Sequence, residues 1–149
     1  MIIRSITYFC NPGWPLDQAK LQAAGTFLAE AKAAFESAGY EVQSLRLAST
    51  PFLQMVGADR INETPKLAEA MQRAIQSVGI AYAALGPAQP EIPASYAVIP
   101  EAIAASQNIF FSGVAADSRF GISLSALQAC AEVITRCSSI TPDGFSNLR

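Results

Sequence analysis

Residues 2–39 read IIRSITYFCNPGWPLDQAKLQAAGTFLAEAKAAFESAG, and this stretch predicts a strand, a turn and a helix in succession. Residues 2–9 are mostly β-branched, aromatic or apolar, so they predict a strand that ends near Cys10. The Asn-Pro-Gly that follows favours a turn. The remainder is rich in Ala, Leu, Lys and Glu, with Asp17 placed to cap a helix and Gly39 to end it. A strand followed by a helix is the unit from which α/β domains are built.

The same order of elements repeats along the chain. The further predicted strands cover residues 40–47, 79–85 and 108–114, and the further predicted helices cover residues 64–77, 100–105 and 123–137. Thr64 is predicted as the N-cap of its helix, since proline follows it. Residues 52–63 allow either a loop over the sheet edge or one short helical turn. Four strand-then-helix units predict a mainly parallel sheet flanked by helices.

Two of the predicted helices have an apolar face, because their apolar residues recur at spacings of three and four. In the first helix this face consists of Leu21, Ala24, Leu28, Ala31 and Phe35. In the last helix it consists of Leu127, Cys130, Val133, Ile134 and Cys137. We expect both faces to pack against the core.

The composition excludes several classes of function. The chain has 149 residues, of which 51% are hydrophobic and 15% charged, so we expect one α/β domain over residues 1–149 with a core of its own. A formal net charge of −2 gives no basic surface for nucleic acid or an anionic membrane, so neither is expected as a partner. The chain contains no histidine, which excludes Ser/His and Cys/His nucleophile pairs and histidine-containing metal sites. We expect no metal site, and the composition identifies no cofactor.

The cysteines indicate a compartment. The chain has three cysteines, Cys10, Cys130 and Cys137. An odd number of widely spaced cysteines is typical of neither a disulfide framework nor a zinc site. The sequence contains no apolar run long enough to span a membrane, and its first residues do not resemble a secretory leader. We therefore expect reduced thiols and a cytoplasmic protein.

Candidate site residues follow from the predicted sheet. In parallel α/β sheets, ligands bind beyond the carboxyl ends of the strands, which selects residues 10–14, 50–52, 86–87 and 117–119. Cys10 is a catalytic candidate, because a thiol near a helix N-terminus can have a lowered pKa and act as a nucleophile or redox group. The alternative is an inert core thiol, which is the commoner role of a free cysteine.

Asp117 is the other catalytic candidate, and Asn11, Trp14, Thr50 and Arg119 are the candidates for binding a substrate. Arg119 offers a bidentate fork for a carboxylate, and Asp117 beside it can orient a polar substrate. The alternative for these two is a solvated loop pair. Trp14, the only tryptophan, marks either a ligand surface or a lid packed on the first helix.

Four segments resemble parts of a bacterial and archaeal family called domain of unknown function 711. They read RSITYF at residues 4–9, YEVQSLRL at 40–47, NIFFS at 108–112 and TPDGFSNLR at 141–149, so the resemblance extends over essentially the whole chain. None of these segments is a catalytic signature. The resemblance therefore indicates a family without assigning a reaction or a residue's role.

The resemblance also implies a fold and a length. Members of this family are several hundred residues long, and the matched segment resembles their N-terminal part, so the chain is expected to be an N-terminal fragment. The family's fold is similar to the α/β barrel of pyruvate formate-lyase-type glycyl-radical enzymes. The chain would then be an incomplete part of such a barrel. Similarity of fold does not transfer the radical chemistry.

The sequence supports two hypotheses of function. In the first, the chain is the N-terminal α/β part of a cytoplasmic enzyme of unknown reaction, with a small-molecule ligand bound at the strand ends. In the alternative it is a non-catalytic association module that buries an apolar surface around Trp14, Phe52 and Phe120. That surface would contact a partner chain or the missing C-terminal part, and we expect either a homo-oligomer or such a contact.

Overall fold

The computed structural model describes residues 1–119 and 121–149. Its strands are β1 (Ile2–Ile3), β2 (Ile6–Phe9), β3 (Glu41–Val42), β4 (Leu45–Ala48), β5 (Tyr82–Ala88), β6 (Ile109–Gly113), β7 (Ala116–Asp117) and β8 (Gly121–Ile122). Its α-helices are α1 (Gln18–Ser37), α2 (Phe52–Val56), α3 (Thr64–Ser77), α4 (Ala94–Ala97), α5 (Ile99–Ala104) and α6 (Leu124–Ser138). Two 3₁₀ helices cover Ala58–Glu63 and Phe145–Leu148.

The central sheet is parallel and has the order β2-β4-β5-β6. This confirms the predicted α/β class. Each strand lies next to the one before it in the sequence, without the reversal of order that defines a doubly wound sheet. The same sequential order is found in α/β barrels.

The first two predicted strands are each interrupted. Strand β1 pairs with β3, and β2 pairs with β4, with breaks at Arg4-Ser5 and Gln43-Ser44. At the breaks, the Ser44 hydroxyl donates to the Arg4 carbonyl at 3.0 Å. The prediction of continuous strands was wrong here because side chains at the breaks satisfy backbone groups that a ladder would otherwise pair.

Helix α1 confirms the predicted boundaries. The Asp17 carboxylate accepts from the backbone amides of Ala19 and Lys20 at 3.0 and 3.2 Å. Leu21 and Leu28 are fully buried, as predicted. The predicted apolar face does not extend to the end of the helix: Phe35 is 42% exposed, and its ring contacts Tyr40 instead of the core.

The segment between β4 and α3 is helical. Helix α2 and the 3₁₀ helix after it place apolar side chains in the core, including Phe52 and Val56, which are fully buried. The helical alternative was therefore closer than the loop. Thr64 is inside α3 rather than its N-cap: its backbone is helical, and its hydroxyl donates to the Ile61 carbonyl at 2.6 Å.

Strand β5 continues through Gly86-Pro87, which was predicted to end it. The register between β5 and β6 shifts between Ala84 and Pro87, so a bulge carries the strand onward to Ala88. Gly86 has φ +73°, and a Cβ there would lie 2.7 Å from Pro51 Cα. Only glycine fits this close approach of two backbones.

The C-terminal third has more exposed apolar surface than the sequence predicts. Helix α6 follows the cap Ser123, whose hydroxyl accepts from Ala126 N at 3.2 Å. Of its predicted apolar face, Cys137 is buried, whereas Ile134 is 59% and Leu127 45% exposed. The prediction was wrong for Ile134 and Leu127: α6 packs mainly on α4, α5 and the 3₁₀ helix Phe145–Leu148, and Cys130 is the residue of this face that approaches β6, at Gly113. The predicted turn near residue 143 is present, with Gly144 N donating to Thr141 O at 3.0 Å.

One face of the central sheet is covered by helices. Tyr8, Leu47, Ala83 and Ile109 are register partners in neighbouring strands. Leu47, Ala83 and Ile109 are at most 1% exposed, and the Tyr8 ring contacts Phe27 of α1 at 5.4 Å between centroids. The core therefore lies between this face and helices α1, α2, α3 and α5.

The alternate residues form what we call the open face. Phe9 lies in this row and is 77% exposed. On this side the side chains of β2, β4, β5 and β6 border a cavity instead of a helical layer. The open face consists of Thr7, Phe9, Arg46, Ala48, Tyr82, Ala84 and Phe110. In the described part of the chain, no helix is long and apolar enough to cross a membrane.

Candidate functional site

The carboxyl ends of the central strands lie at one edge of the sheet, as expected. Cys10 N donates to Ala48 O at 3.1 Å, Ser49 N to Ala84 O at 2.9 Å, and Val114 N to Ala88 O at 3.0 Å. The loops after β2, β4, β5 and β6 therefore start side by side. Whether a substrate binds there depends on the side chains that these loops present.

Cys10 is partly buried and packs against the hydrophobic core. Burial raises the pKa of the Cys10 thiol, and the Lys20 ammonium lowers it by a smaller amount. The direction is opposite to the lowered pKa that the sequence suggested. A thiol with a raised pKa is mostly protonated at neutral pH, and the protonated form is not the nucleophile.

The loop after β2 is held by its own side chains. Asn11 Oδ1 accepts from Gly13 N at 2.9 Å, and Trp14 Nε1 donates to Glu63 Oε2 at 2.5 Å. The Glu63 carboxylate lies just before α3, so the indole joins the loops after β2 and β4. These contacts show that the Asn11 side chain shapes its own turn and that the Trp14 indole is bonded to Glu63.

Thr50 is the substrate-binding candidate whose side-chain hydroxyl has no hydrogen-bond partner among the described residues. Its Oγ1 is shielded from solvent. Its carbonyl accepts from the Ser49 hydroxyl at 2.7 Å. A buried hydroxyl without a partner costs about 1–3 kcal/mol, so Thr50 is the feature of this edge that a ligand could satisfy.

Asp117 and Arg119 pair with each other. Arg119 Nε and Nη2 lie 3.2 and 3.0 Å from Asp117 Oδ2, and Arg119 N donates to Oδ1 at 2.6 Å. The Arg119 side chain is 82% exposed. Both residues belong to the β7-β8 hairpin, a separate small sheet. Asp117 and Arg119 thus pair within one hairpin, with the Arg119 side chain in solvent and that of Asp117 mostly shielded.

Phe52 does not contribute to the apolar surface predicted around Trp14, Phe52 and Phe120. Phe52 is fully buried, and its ring meets Phe111 edge-on at 5.6 Å between centroids. Trp14 is half-buried, and Phe120 lies outside the described residues. That prediction was wrong for Phe52, because α2 turns its ring into the core. Exposed apolar side chains include Phe9 on the open face and Leu124 and Ile134 on α6.

The open face borders a cavity of about 920 Å³. Thr7, Arg46 and Tyr82, which are register partners in β2, β4 and β5, line it together with Phe110. The segment 141–149 forms another wall. The cavity lies toward the amino ends of the strands, at the opposite end from the loops that the sequence selected.

Arg46 lines this cavity from β4. Its Nε donates to Ser44 Oγ at 3.1 Å, and its guanidinium lies 5.6 Å from the Tyr82 ring centroid. The Tyr82 ring meets Phe110 edge-on at 5.5 Å between centroids. These contacts hold the guanidinium over the Tyr82 ring, which together with the Phe110 ring forms what we call the aromatic floor, without pairing it with a carboxylate.

Two more arginines line the cavity. Arg149 donates through Nη1 to the Ser106 carbonyl and through Nη2 to Ser146 Oγ at 3.0 Å. Arg4 has no side-chain partner within the part of the chain that the structure describes. Asp143 is the acidic side chain in the lining, and it accepts from Phe145 N at 3.0 Å, which lowers the pKa of its carboxyl.

The charge of the cavity differs from that of the protein. Within residues 1–119 and 121–149, five basic side chains have a carboxylate within 4.0 Å: Lys20, Lys32, Arg73, Arg119 and Arg136. The arginines of the cavity have none. A chain with a net charge of −2 thus gathers three guanidinium groups around one space.

A model of the family described as "Uncharacterised ACR (DUF711)" matches residues 1–149. The chain belongs to the DUF711 family. This confirms the resemblance seen in its sequence.

Curated relatives of this DUF711 chain are named UPF0210 protein. The protein of Actinobacillus pleuropneumoniae serotype 5b is 26% identical over 136 residues, which cover 85% of this chain and 30% of the relative. That of Ruminiclostridium cellulolyticum is 26% identical over 113 residues, which cover 70% of this chain and 25% of the relative. The DUF711 chain thus spans less than a third of the length of these relatives. Their names state no activity.

Sequence reasoning missed the cavity of the DUF711 chain, although one signal was present. Arg46 interrupts the apolar residues Leu45 and Leu47 in a strand, which is the alternation expected of a sheet with one uncovered face. Arg4 and Arg149 are far from Arg46 in the sequence. Their common location depends on the strand order and on where segment 141–149 returns.

The cysteines of α6 line a second, smaller cavity of about 210 Å³. Cys137 is buried, and burial raises the pKa of its thiol. Cys130 is half-buried in the same wall, and both thiols are free. Among the described residues, no group of three His, Cys, Asp or Glu side chains is placed to hold a metal ion.

Proposed function

We propose that this DUF711 chain is a non-catalytic α/β association module, whose open face is covered by further polypeptide. One observation carries the proposal: helices cover one face of the central sheet, while Phe9 on the other is 77% exposed. Parallel sheets are rarely left uncovered on either face, because their strands have apolar side chains on both. An exposed, partly aromatic sheet face is the kind of surface that mediates association.

The occupant we propose is polypeptide equivalent to the part of the relatives that this chain does not match. These relatives are more than three times as long as the matched segment, since that segment covers 30% or less of each. The sequential strand order leaves β6 available as a neighbour for further strands. Additional strand-then-helix units beyond β6 would continue the sheet and curve it over the open face, as in an α/β barrel.

Charge disfavours a second copy as the occupant. Two open faces in contact would bring Arg46 and Arg4 of one copy toward the same arginines of the other. Like charges placed together cost several kcal/mol in an interface. A cover that has apolar side chains and no basic side chains opposite the arginines fits this face better, so we place the homo-oligomer second.

The alternative is the N-terminal part of an enzyme with its site at the strand carboxyl ends. Thr50 supports it, because the unpartnered Oγ1 lies at that edge. The other candidates support it less: the Cys10 pKa is raised, the Asn11 side chain bonds within its own turn, and the Trp14 indole bonds to Glu63. We also propose a cytoplasmic location, which the free cysteines favour.

Binding between two purified polypeptides tests the association module. One is this 149-residue chain. The other is the region of the Actinobacillus pleuropneumoniae UPF0210 protein that follows its matched segment. As a positive control, this region is also mixed with the matched segment of the same Actinobacillus protein. We expect a one-to-one complex in sedimentation velocity, weakened at least tenfold by Phe9→Ser and unchanged by Phe35→Ser.

Phe35 is the matched control because it is an exposed phenylalanine at the end of α1, away from the open face. A homodimer of the 149-residue chain that Phe9→Ser dissociates would replace the proposed occupant with a second copy. Equal binding by the wild type and Phe9→Ser would show that the open face is not the interface.

A further inference from the structure

We infer that the cavity on the open face is a binding site for a small organic anion, with a carboxylate or phosphate group on a flat apolar body. This goes beyond the association module, because the site consists of residues of this chain alone. The three arginines and the aromatic floor are both present in the described structure. Further polypeptide over the open face would enclose the ligand without supplying the groups that recognise it.

The anionic group is indicated by the unpaired arginines. In the described chain, Arg46 and Arg4 lack a carboxylate partner, whereas five of the basic side chains outside the cavity have one within 4.0 Å. Guanidinium groups bind carboxylate and phosphate in a bidentate manner, and several around one space bind an anion more strongly than each does singly. Asp143 is ionised and offsets part of this charge, but in the described structure it forms no ion pair with an arginine of the cavity, and its single carboxylate faces three guanidinium groups.

The apolar body is indicated by the floor of the cavity. The rings of Tyr82 and Phe110 meet edge-on. Ala48 and Ala84 also line the cavity, and their small side chains leave space above the two rings. A planar ring fits over such a floor through offset or edge contacts. The Arg46 guanidinium lies over the same Tyr82 ring, so charged and aromatic contacts are adjacent.

The size of the cavity agrees with a small ligand. Its volume of about 920 Å³ lies in the range of small-molecule sites. Gln107 and Asn108 are also in the lining, and their side-chain amides add donors and acceptors for a polar substituent. The geometry favours a compact aromatic acid or aryl phosphate over a simple inorganic anion.

The test is a titration of the full 149-residue chain with benzoate and with phenyl phosphate, followed by ¹H–¹⁵N NMR. Benzamide is the neutral control, since it has the same ring without the charge. We expect the amide signals of residues 46, 82 and 110 to shift with both anions. Binding of benzamide should be at least tenfold weaker, and the affinity for the anions should fall as ionic strength rises.

Two variants separate the site from general charge. Arg46→Gln should weaken binding of phenyl phosphate at least tenfold, and Arg4→Gln should weaken it severalfold. Arg60→Gln is the matched control: it removes the same charge from an exposed arginine outside the cavity. Arg4 has no side-chain contact in the described part of the chain, so its variant is informative even if Arg46→Gln unfolds.

Three results would overturn the site. They are equal affinity for benzamide and benzoate, equal loss of affinity in Arg60→Gln and Arg46→Gln, and the absence of any shift with both anions. None of these results affects the association module, because the titration contains no second polypeptide. Likewise, failure of the two polypeptides to bind leaves the anion titration unchanged.

Discussion

Arg46 lies opposite Tyr82 in adjacent parallel strands, with its guanidinium 5.6 Å from the ring centroid. An arginine in the middle of a central strand is unexpected in a sheet buried on both faces, since burial of an unpaired charge is costly. It is tolerated here because the open face borders a cavity. The pair therefore marks the uncovered side of the sheet and the cavity beside it.

The two faces of the sheet predict very different costs for substitutions. Leu47→Ala should reduce the free energy of unfolding by about 2–5 kcal/mol, because Leu47 is 1% exposed and faces the helices. Phe9→Ser should change it by less than about 1 kcal/mol, since Phe9 is 77% exposed. Urea unfolding of both variants measures the difference. Comparable losses would show that the open face is covered in the isolated chain.

Alanine substitutions at Gly86 and Gly79 should differ in their effect on stability. Both have positive φ, +73° and +75°, so alanine at either costs about 1–2 kcal/mol in backbone strain. At Gly86 a Cβ would also lie 2.7 Å from Pro51 Cα, whereas nothing lies within 4 Å of a Cβ at Gly79. We expect Gly86→Ala to be less stable than Gly79→Ala by about 1–3 kcal/mol. Equal thermal unfolding of the two variants would contradict the close approach of β5 to Pro51.

The bulge at Gly86 is a feature that could not be predicted from the sequence. The α/β class, helix α1 and the cap Asp17 could be predicted, because periodicity and capping are local properties of the sequence. The bulge could not, since Gly86-Pro87 is a usual strand end unless another backbone, here at Pro51, passes beside it. The breaks at Arg4-Ser5 and Gln43-Ser44 likewise depend on a hydrogen bond between two distant segments.

The candidate sites show the same limit. The rule for parallel sheets correctly placed the loops after the strands at one edge, but it says nothing about whether the side chains of Asn11 and Trp14 already have hydrogen-bond partners within the protein. The cavity requires Arg4, Arg46 and Arg149 to meet, which no local pattern contains. Only the strand order and the path of the last residues bring them together.

The turn at Asp143 predicts a pH dependence. Hydrogen bonds from Phe145 N and then from the Thr141 hydroxyl lower the pKa of the Asp143 carboxyl below its ordinary value. A lowered pKa in the folded state means that the ionised group stabilises the fold above its unfolded pKa, about 4. This contribution is lost as the pH falls through the lower, folded pKa.

We therefore expect the difference in stability between wild type and Asp143→Asn to be constant above about pH 5 and to shrink below about pH 4. Urea unfolding of the pair at successive pH values measures it, and an NMR titration of the carboxyl carbon gives the folded pKa. A folded pKa above that of an unstructured aspartate would contradict the hydrogen bonds at this turn.

Cys10 gives the prediction that separates the two hypotheses of function most directly. Burial raises the pKa of its thiol, with a smaller opposing effect of Lys20, so the fraction of reactive thiolate at neutral pH is below that of a free cysteine. We expect alkylation of Cys10 by iodoacetamide to be slower than that of an unstructured cysteine at pH 7.5, and to accelerate as the pH rises past about 9. Mass spectrometry of the labelled peptides measures each rate.

Cys137 and the variant Cys10→Ser are the controls in the same experiment. Cys137 is 1% exposed and should stay unlabelled until the protein unfolds, which shows that the fold is intact during the reaction. Cys10→Ser should remove the slow phase and leave the rest of the labelling unchanged. Rapid labelling of Cys10 with a midpoint clearly below about pH 8.5 would indicate an activated thiol. That result would favour an enzyme with its site at the strand ends over the association module.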